Sequence, residues 1–416
     1  MRNHLTTFGA TCVLATMLGA SAQAEPTVEV LHWWTSGGEA RAVGELKEAF
    51  EAAGGTWVDS PIAGGGGDAA MTALRARVMS GNPPTAVQLK GPSIQEWARE
   101  GVLANLDPVA TEENWSEKLP PLIVDTMRYD GHYVGAPVNV HRVDWIWANP
   151  DVLAEVGAEM PTTWDEFNAT ATKLQEAGIT PLAHGGQPWQ DATLFEVVAL
   201  GLGGVDFFQR ALVDLDDAAL RSDTMVAVFD QMRTLRGFVD DNFSGRDWNL
   251  ATAMVINGEA AFQIMGDWAK GEFLAADMVP GEDFLCAAAP GNGFLLNTDS
   301  FVMFDVGGAD REQGQKLLAS LIMGADFQRT FNLAKGSIPA RTDVSLEGFD
   351  ACAQRSQDDL AAARDAGALL PSMAHEMAIP RSQRGVFLDL VTEHFNSDMS
   401  STEAATRLAD AIARSR

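Results

Sequence analysis

Three short strand-like runs, each followed by a stretch of helical character, fill the first hundred residues and constrain the fold more than any other feature. "VEVLHWW" (28–34) leads into "EARAVGELKEAFEAAGG", where Ala42, Leu46, Ala49 and Phe50 share one helical face. "TWVDSPIA" (56–63) leads into "DAAMTALRARVMSG", and "TAVQLK" (85–90) into "PSIQEWAREG". Strand and helix repeated in this order predict parallel β-α-β units, because parallel neighbours need a crossover between them. In such open sheets ligands collect beyond the carboxyl ends of the strands. Two adjacent tryptophans, Trp33 and Trp34, stand at the first of those ends. Strand alternation forbids both from one sheet face, so one ring is expected in the lobe and the other toward a cleft.

The rhythm changes after Pro120. "MRYDGHYVGAPV" reads as a hairpin turning at Asp130-Gly131, and "RVDWIWANP" as an alternating strand that ends in a helix-starting Asn-Pro. In "PTTWDEFNATATKLQEAGITPLAHG", Thr162 or Thr163 is the N-cap, Glu166 completes the start and Gly178 is the stop. A helical middle runs on to "NLATAMVINGEAAFQIMGDWAKG". The strand-rich "DFLCAAAPGNGFLLNTDSFVMF" follows, and helices are expected from Asp310 to the end. The order predicts a two-lobed α/β protein whose chain crosses between lobes more than once.

The first residues carry Arg2, an apolar run around Cys12 to Leu18 and a small-residue Ala22-Gln23-Ala24 site, the pattern of a secretory signal peptide cut after Ala24. Export leaves Cys286 and Cys352 as an even pair in an oxidising compartment, where a disulfide is expected. Cleavage removes Arg2 and no acidic residue, so 28 basic residues face 57 acidic ones and the formal charge becomes −29. Such a surface repels nucleic acid and anionic membranes.

Several kinds of chemistry find no support. The glycine run "AGGGGDAAM" (63–71) lacks the Gly-Lys-Ser/Thr ending of a phosphate loop, and it reads as a flexible loop closing onto a helix N-terminus. His32, His132, His141, His184 and His375 are scattered, with no metal-binding spacing, and no cofactor is implied. No Gly-x-Ser-x-Gly elbow is present. Abundant carboxylates keep a secreted carbohydrate hydrolase with a carboxylate pair as the alternative reading.

A sugar presents C–H patches on its faces and hydroxyls around its rim, which suit flat aromatic rings and fixed charged or amide groups. Eleven tryptophans against two tyrosines supply the first. Trp268, in "IMGDWAKG", again stands just beyond a strand-like run, Lys90 ends the third strand, and Glu39 opens the first helix. Asp299 interrupts an apolar strand, where an unpaired carboxylate is costly and a partner is expected. Taken alone, Lys335 reads equally as a helix cap and His375 as a satisfied histidine.

The order of "HWWTSGGEARAV", "AVQLKGPSIQEWAREGVLANLD", "VGAPVNVHRVDWIWAN", "AAFQIMGDWAKGEF", "APGNGFLLNTDSFVMF" and "NLAKGSIPAR" resembles the extracellular solute-binding proteins of bacterial ABC sugar importers, with the double Trp, "GDW" and "TDSF" most similar to the glucose/mannose-type branch. The resemblance implies a two-lobed periplasmic-binding-protein fold of type II, with residues 25–138 and about 296–342 in one lobe and 139–295 and about 343–416 in the other. It implies a periplasmic monomer that takes a monosaccharide, glucose or a related hexose, and hands it to an inner-membrane permease, without catalysis. Carried over residue by residue, Trp33, Trp34, Glu39 and Lys90 line the pocket, Trp268 stacks on the sugar, and Asp299, Lys335 and His375 complete the polar ring. Trp34 is then expected to flank the sugar with its face and Trp33 to meet it by its edge or indole N–H. Trp189 and Gln187, in "GGQPWQ", are left outside that set. An anion importer is disfavoured, since its pocket would be rich in arginine.

Overall fold

A computed structural model describes residues 25–416; the expected leader, with its cleavage after Ala24 and with Cys12, lies outside the described residues. The opening alternation is present as β1 (Thr27–His32), α1 (Gly37–Ala52), β2 (Thr56–Pro61), α2 (Asp68–Met79), β3 (Ala86–Leu89) and α3 (Gly91–Arg99). β4 (Arg128–Tyr129) and β5 (His132–Tyr133) form the expected hairpin, turning through Asp130 and Gly131, both at positive φ. β6 (Gly135–Pro137), β7 (His141–Arg142), β8 (Trp145–Ala148) and β9 (Thr180–Leu182) follow. The later strands are β10 (Ala260–Ile264), β11 (Leu285–Ala288), β12 (Phe294–Asn297), β13 (Ser300–Met303) and β14 (Leu369–Pro371).

The first sheet has the order β2-β1-β3-β13-β6. β1 is parallel to β2 and β3, and β13 returns antiparallel between β3 and β6 with Ser300 opposite Leu89. The second sheet has the order β11-β8-β10-β9 and belongs to the other lobe. Its central strand β8 departs from the alternation expected of "RVDWIWANP": all four residues are buried, because neighbours and helices enclose it on every side. Thr163 caps the helix Trp164–Glu176 through a capping box with Glu166, and Gly178 sits just past its end at positive φ.

A third, small sheet, β14-β12-β7, joins the lobes. Along β12, Phe294 and Leu296 belong to the hydrophobic core of the first lobe and Leu295 to that of the second. Successive side chains of a strand point to opposite faces, so this one strand is wedged between the two cores. β14 also interrupts a tail expected to be helical throughout; three residues leave no periodicity to read. Among the described residues no helix is long and apolar enough to cross a membrane.

Cys286, on β11, and Cys352, at the start of the helix Ala351–Ala366, form the expected disulfide, with their Cα atoms 6.2 Å apart. That helix contributes Ala353 and Ala363 to the first core and Cys352 to the second, so the bond ties it to the edge of the second sheet.

Candidate functional site

Parallel strands β1 and β3 end on the same edge of their sheet, which brings Trp33, Trp34 and Lys90 together. The first turn of α1 adds Glu39, the turn between β12 and β13 adds Asp299, and the last residue of the helix Ala325–Lys335 adds Lys335. Gly336, at φ 87°, ends that helix. From the second lobe come Trp268, just after β10, and His375, on the loop between β14 and the helix Arg381–Phe395. These eight side chains, distant in the sequence, line one cavity between the lobes, and every one of them is buried.

Around it the lobes touch directly. The Gly38 N–H donates to Glu272 Oε1 at 2.8 Å, the Ser93 hydroxyl donates to Glu376 Oε2 at 3.1 Å, and Arg384 Nη1 reaches Asp68 Oδ1 at 3.2 Å. Gly91, at φ 44°, has no side chain because the Glu376 carbonyl would stand 2.0 Å from its Cβ.

The charges inside are arranged in three groups. Lys335 Nζ lies 3.1 Å from Glu39 Oε1 and 5.6 Å from the centre of the Trp34 ring. Burial pushes the Glu39 carboxyl up and the Lys335 ammonium pulls it back. Asp299 accepts from Gln88 Nε2 and Asn139 Nδ2, each at 3.2 Å, and meets His141 Nε2 at 2.9 Å. Burial acts to raise its carboxyl, but the His141 hydrogen bond and charge, helped by Lys90 and Lys335, hold it well below the usual range. The other ring nitrogen of His141 bonds Asp267. Burial lowers His141, yet Asp267 and Asp299 outweigh it and the imidazole between these two carboxylates is held above its ordinary value.

Lys90 is the third group. Its Nζ stands 5.2 Å from the centre of the Trp33 ring and, among the described residues, has no hydrogen-bond or ion-pair partner. Burial lowers its pKa, opposed by Asp299 and Glu376. His375 is pushed well below the imidazole value by burial and by the cations Lys90, Arg384 and His141, and is therefore neutral. Its Nε2 bonds the Thr193 hydroxyl at 3.0 Å, and its ring meets Trp268 edge-on at 4.8 Å between centroids. Basic side chains, Lys90, Lys335 and His141, and the carboxylates Glu39 and Asp299 thus share one cavity, with Asp267 behind His141.

A family model described as "Bacterial extracellular solute-binding protein" matches residues 35–321. The chain belongs to that family. It is 52% identical over 415 residues to a "Probable sugar-binding periplasmic protein" of Rhizobium meliloti (strain 1021), spanning 99% of both chains. Among solved structures it is similar to a chitin oligosaccharide binding protein, with TM-score 0.80, 18% identity and coverage of 94% of this chain and 99% of that one. It is also similar to the bacterial solute receptor AcbH, described with an exclusive preference for β-D-galactopyranose, with TM-score 0.79, 17% identity and coverage of 94% and 98%. These likenesses establish the two-lobed periplasmic-binding-protein fold.

In this solute-binding protein the arrangement of the tryptophan pair differs from the alternation argument. β1 ends at His32, so Trp33 and Trp34 lie past the strand and both border the cavity while both belong to the core of the first lobe. Trp34 packs edge-on to Phe301, at 5.6 Å between centroids, and against Phe331. Asp299 sits in a turn rather than within a strand, and its partners are real. His141, Asn297, Trp189, Trp248, Gly65 and Gly66 line the cavity as well. His141 gave no local signal, because its partners Asp267 and Asp299 are 126 and 158 residues away. Trp189 and Trp248 both stand in the first turn of a helix, a position that could have marked them. Gln187 sits behind, accepting from the Trp189 indole N–H at 2.9 Å.

Proposed function

We propose that this chain is the periplasmic sugar-binding component of an ABC importer, that it captures a neutral monosaccharide, glucose or a related hexose, and that it delivers the sugar to an inner-membrane permease. The observation that carries the reading is the cavity itself: five tryptophans, Trp33, Trp34, Trp189, Trp248 and Trp268, around buried lysine, histidine and carboxylate side chains. Indole faces match the C–H faces of a pyranose, and Lys90, Lys335, Glu39 and Asp299 match its hydroxyls with charge-assisted bonds. The name of the Rhizobium relative supports sugar as the ligand class and the periplasm as the compartment, reached after cleavage at Ala24.

Binding works by hinge closure. The sugar joins Trp33, Trp34, Glu39, Lys90, Asp299 and Lys335 of one lobe to Trp268 and His375 of the other, contacts absent when the lobes part. The lobes are residues 25–138 with about 296–342, and 139–295 with about 343–416; the helix Ala351–Ala366, shared by the two cores, lies at their junction. Membership of a solute-binding family favours binding without turnover over the carbohydrate hydrolase. In the cavity the two carboxylates a hydrolase would use are committed, Glu39 to Lys335 and Asp299 to His141, Asn139 and Gln88.

Thermal unfolding of the mature protein across a library of hexoses, pentoses, disaccharides and sugar phosphates tests this. A sugar present at 100 times its Kd stabilises the folded state by about 2.7 kcal/mol. A shift with one or more neutral hexoses is expected; a shift with sugar phosphates alone would overturn the reading, as would release of reducing ends from oligosaccharides.

A further inference from the structure

The glycine run of residues 64–67 is not a phosphate loop, yet it occupies a decisive place. Gly65 and Gly66 line the cavity, and Gly65 also lines a second, outer chamber beside it. Trp33, Glu39 and Trp248 border both chambers, so the wall between them consists of these side chains and the Gly65 backbone. The far side of the outer chamber is polar, with Thr35, Ser36, Asp247 and Asn249. Its polar lining is of the kind that meets a sugar's hydroxyls, and the shared side chains stand between it and the first cavity.

The run can form this wall only because it has no side chains. Gly64, Gly66 and Gly67 take φ values of 126°, 77° and 86°, which side-chain-bearing residues rarely adopt. A Cβ on Gly65 would stand 2.8 Å from Trp189 Cζ2 and 3.0 Å from Trp248 Cδ1; one on Gly66 would stand 2.9 Å from Trp189 Cγ. The backbone thus lies close against two indoles of the opposite lobe, and a Cβ on Gly67 would stand 3.1 Å from the Trp33 ring. Asp68, the next residue, is gripped by Arg381 and Arg384, which are held in turn by Glu376. These contacts cross between the lobes.

We propose that the Gly64–Gly67 run is a length-selecting wall: on closure it seals the inner cavity around a single sugar ring and excludes ligands extended by a glycosidic bond. The proposal rests on the sugar-binding reading above. An inner cavity without the wall would continue past Trp248 into the outer chamber, and a disaccharide would then be accommodated.

Tryptophan-fluorescence titration decides it, using the hexose that binds the unaltered protein most tightly, its methyl glycosides, maltose and cellobiose. The unaltered protein is expected to bind the free hexose at least about tenfold more tightly than any of the extended sugars, the scale on which one added methylene is discriminated in a closed pocket. Gly65→Ala is expected to lose at least about tenfold in hexose affinity while its unliganded melting temperature stays within about 2 °C, because Ala meets the indoles only on closure. Trp248→Ala, which opens the wall from the opposite lobe, is expected to gain binding of maltose or cellobiose. Equal affinity of the unaltered protein for hexose and disaccharide overturns the wall while leaving sugar binding intact. Unchanged hexose affinity in Gly65→Ala does the same, and if that variant fails to fold, absence of any disaccharide gain in Trp248→Ala overturns it. Absence of binding to every sugar overturns the functional reading first and this inference with it.

Discussion

Replacing Lys335 with Met isolates what the buried ion pair at the centre of the first lobe does. Lys335 and Glu39 have side-chain exposures of only 2% and 10%, and their charged atoms are 3.1 Å apart. The pair joins α1 to the helix Ala325–Lys335, which pack along each other. Removing one partner of such a pair leaves an uncompensated charge, typically a loss of about 3–5 kcal/mol. Glu39 has an escape, since burial already raises its carboxyl and it can take up a proton. Neutralising a carboxyl of ordinary pKa about 4.3 costs about 3.5 kcal/mol at pH 7 but only about 1 kcal/mol at pH 5. The K335M loss is therefore expected near 3.5 kcal/mol at pH 7 and near 1 kcal/mol at pH 5. Adding Glu39→Gln removes the stranded charge and should recover at least about 2 kcal/mol at pH 7, a strongly non-additive cycle. Urea unfolding of the ligand-free protein at the two pH values provides the numbers. Equal losses at both pH values, or additive single changes, would refute the claim that the pair is buried and mutually dependent.

Three further outcomes follow from the same geometry. Trp268→Ala should weaken hexose binding by at least about 1 kcal/mol, roughly fivefold, through loss of an aromatic contact; unchanged affinity in a folded variant would remove Trp268 from the site. Because burial and neighbouring cations depress His375, the stability it contributes is present above its unfolded pKa near 6.5 and is lost as pH falls toward the depressed value, so His375→Gln should flatten the acid side of the pH–stability curve measured by urea unfolding. Breaking the Cys286–Cys352 bond, which closes a sequence separation of 66 residues, by double replacement with Ala should cost about 2–4 kcal/mol in the same assay.

What the sequence made legible was local. Helix α1 announced itself through Ala42, Leu46, Ala49 and Phe50, and the helix from Trp164 through Thr163 and Glu166, because period and caps depend only on near neighbours. Trp33, Trp34 and Lys90 could be placed at one edge because parallel strands share an end. The insertion of β13 beside β3 was invisible, since Ser300 pairs with Leu89 across some two hundred residues with nothing local to mark it. The same holds for His141, whose role exists only once Asp267 and Asp299 are brought to either side of its ring. The glycine run was legible as a loop closing onto a helix N-terminus, and Gly65–Gly67 does lead into α2, but the indoles packed against it come from distant segments and left no local mark. Lys335 and His375 joined the set through family resemblance, because each taken alone read at least as well as a helix cap or a satisfied histidine, whereas Asp299 was marked by the cost of an unpaired carboxylate in an apolar run.

The most direct test of the account is isothermal titration calorimetry of the mature protein with glucose, galactose, mannose and other neutral hexoses. The account predicts saturable binding of at least one of them at one sugar per chain, and no saturation by sugar phosphates. Heat from none of the hexoses, or saturation only by an anionic ligand, would contradict it.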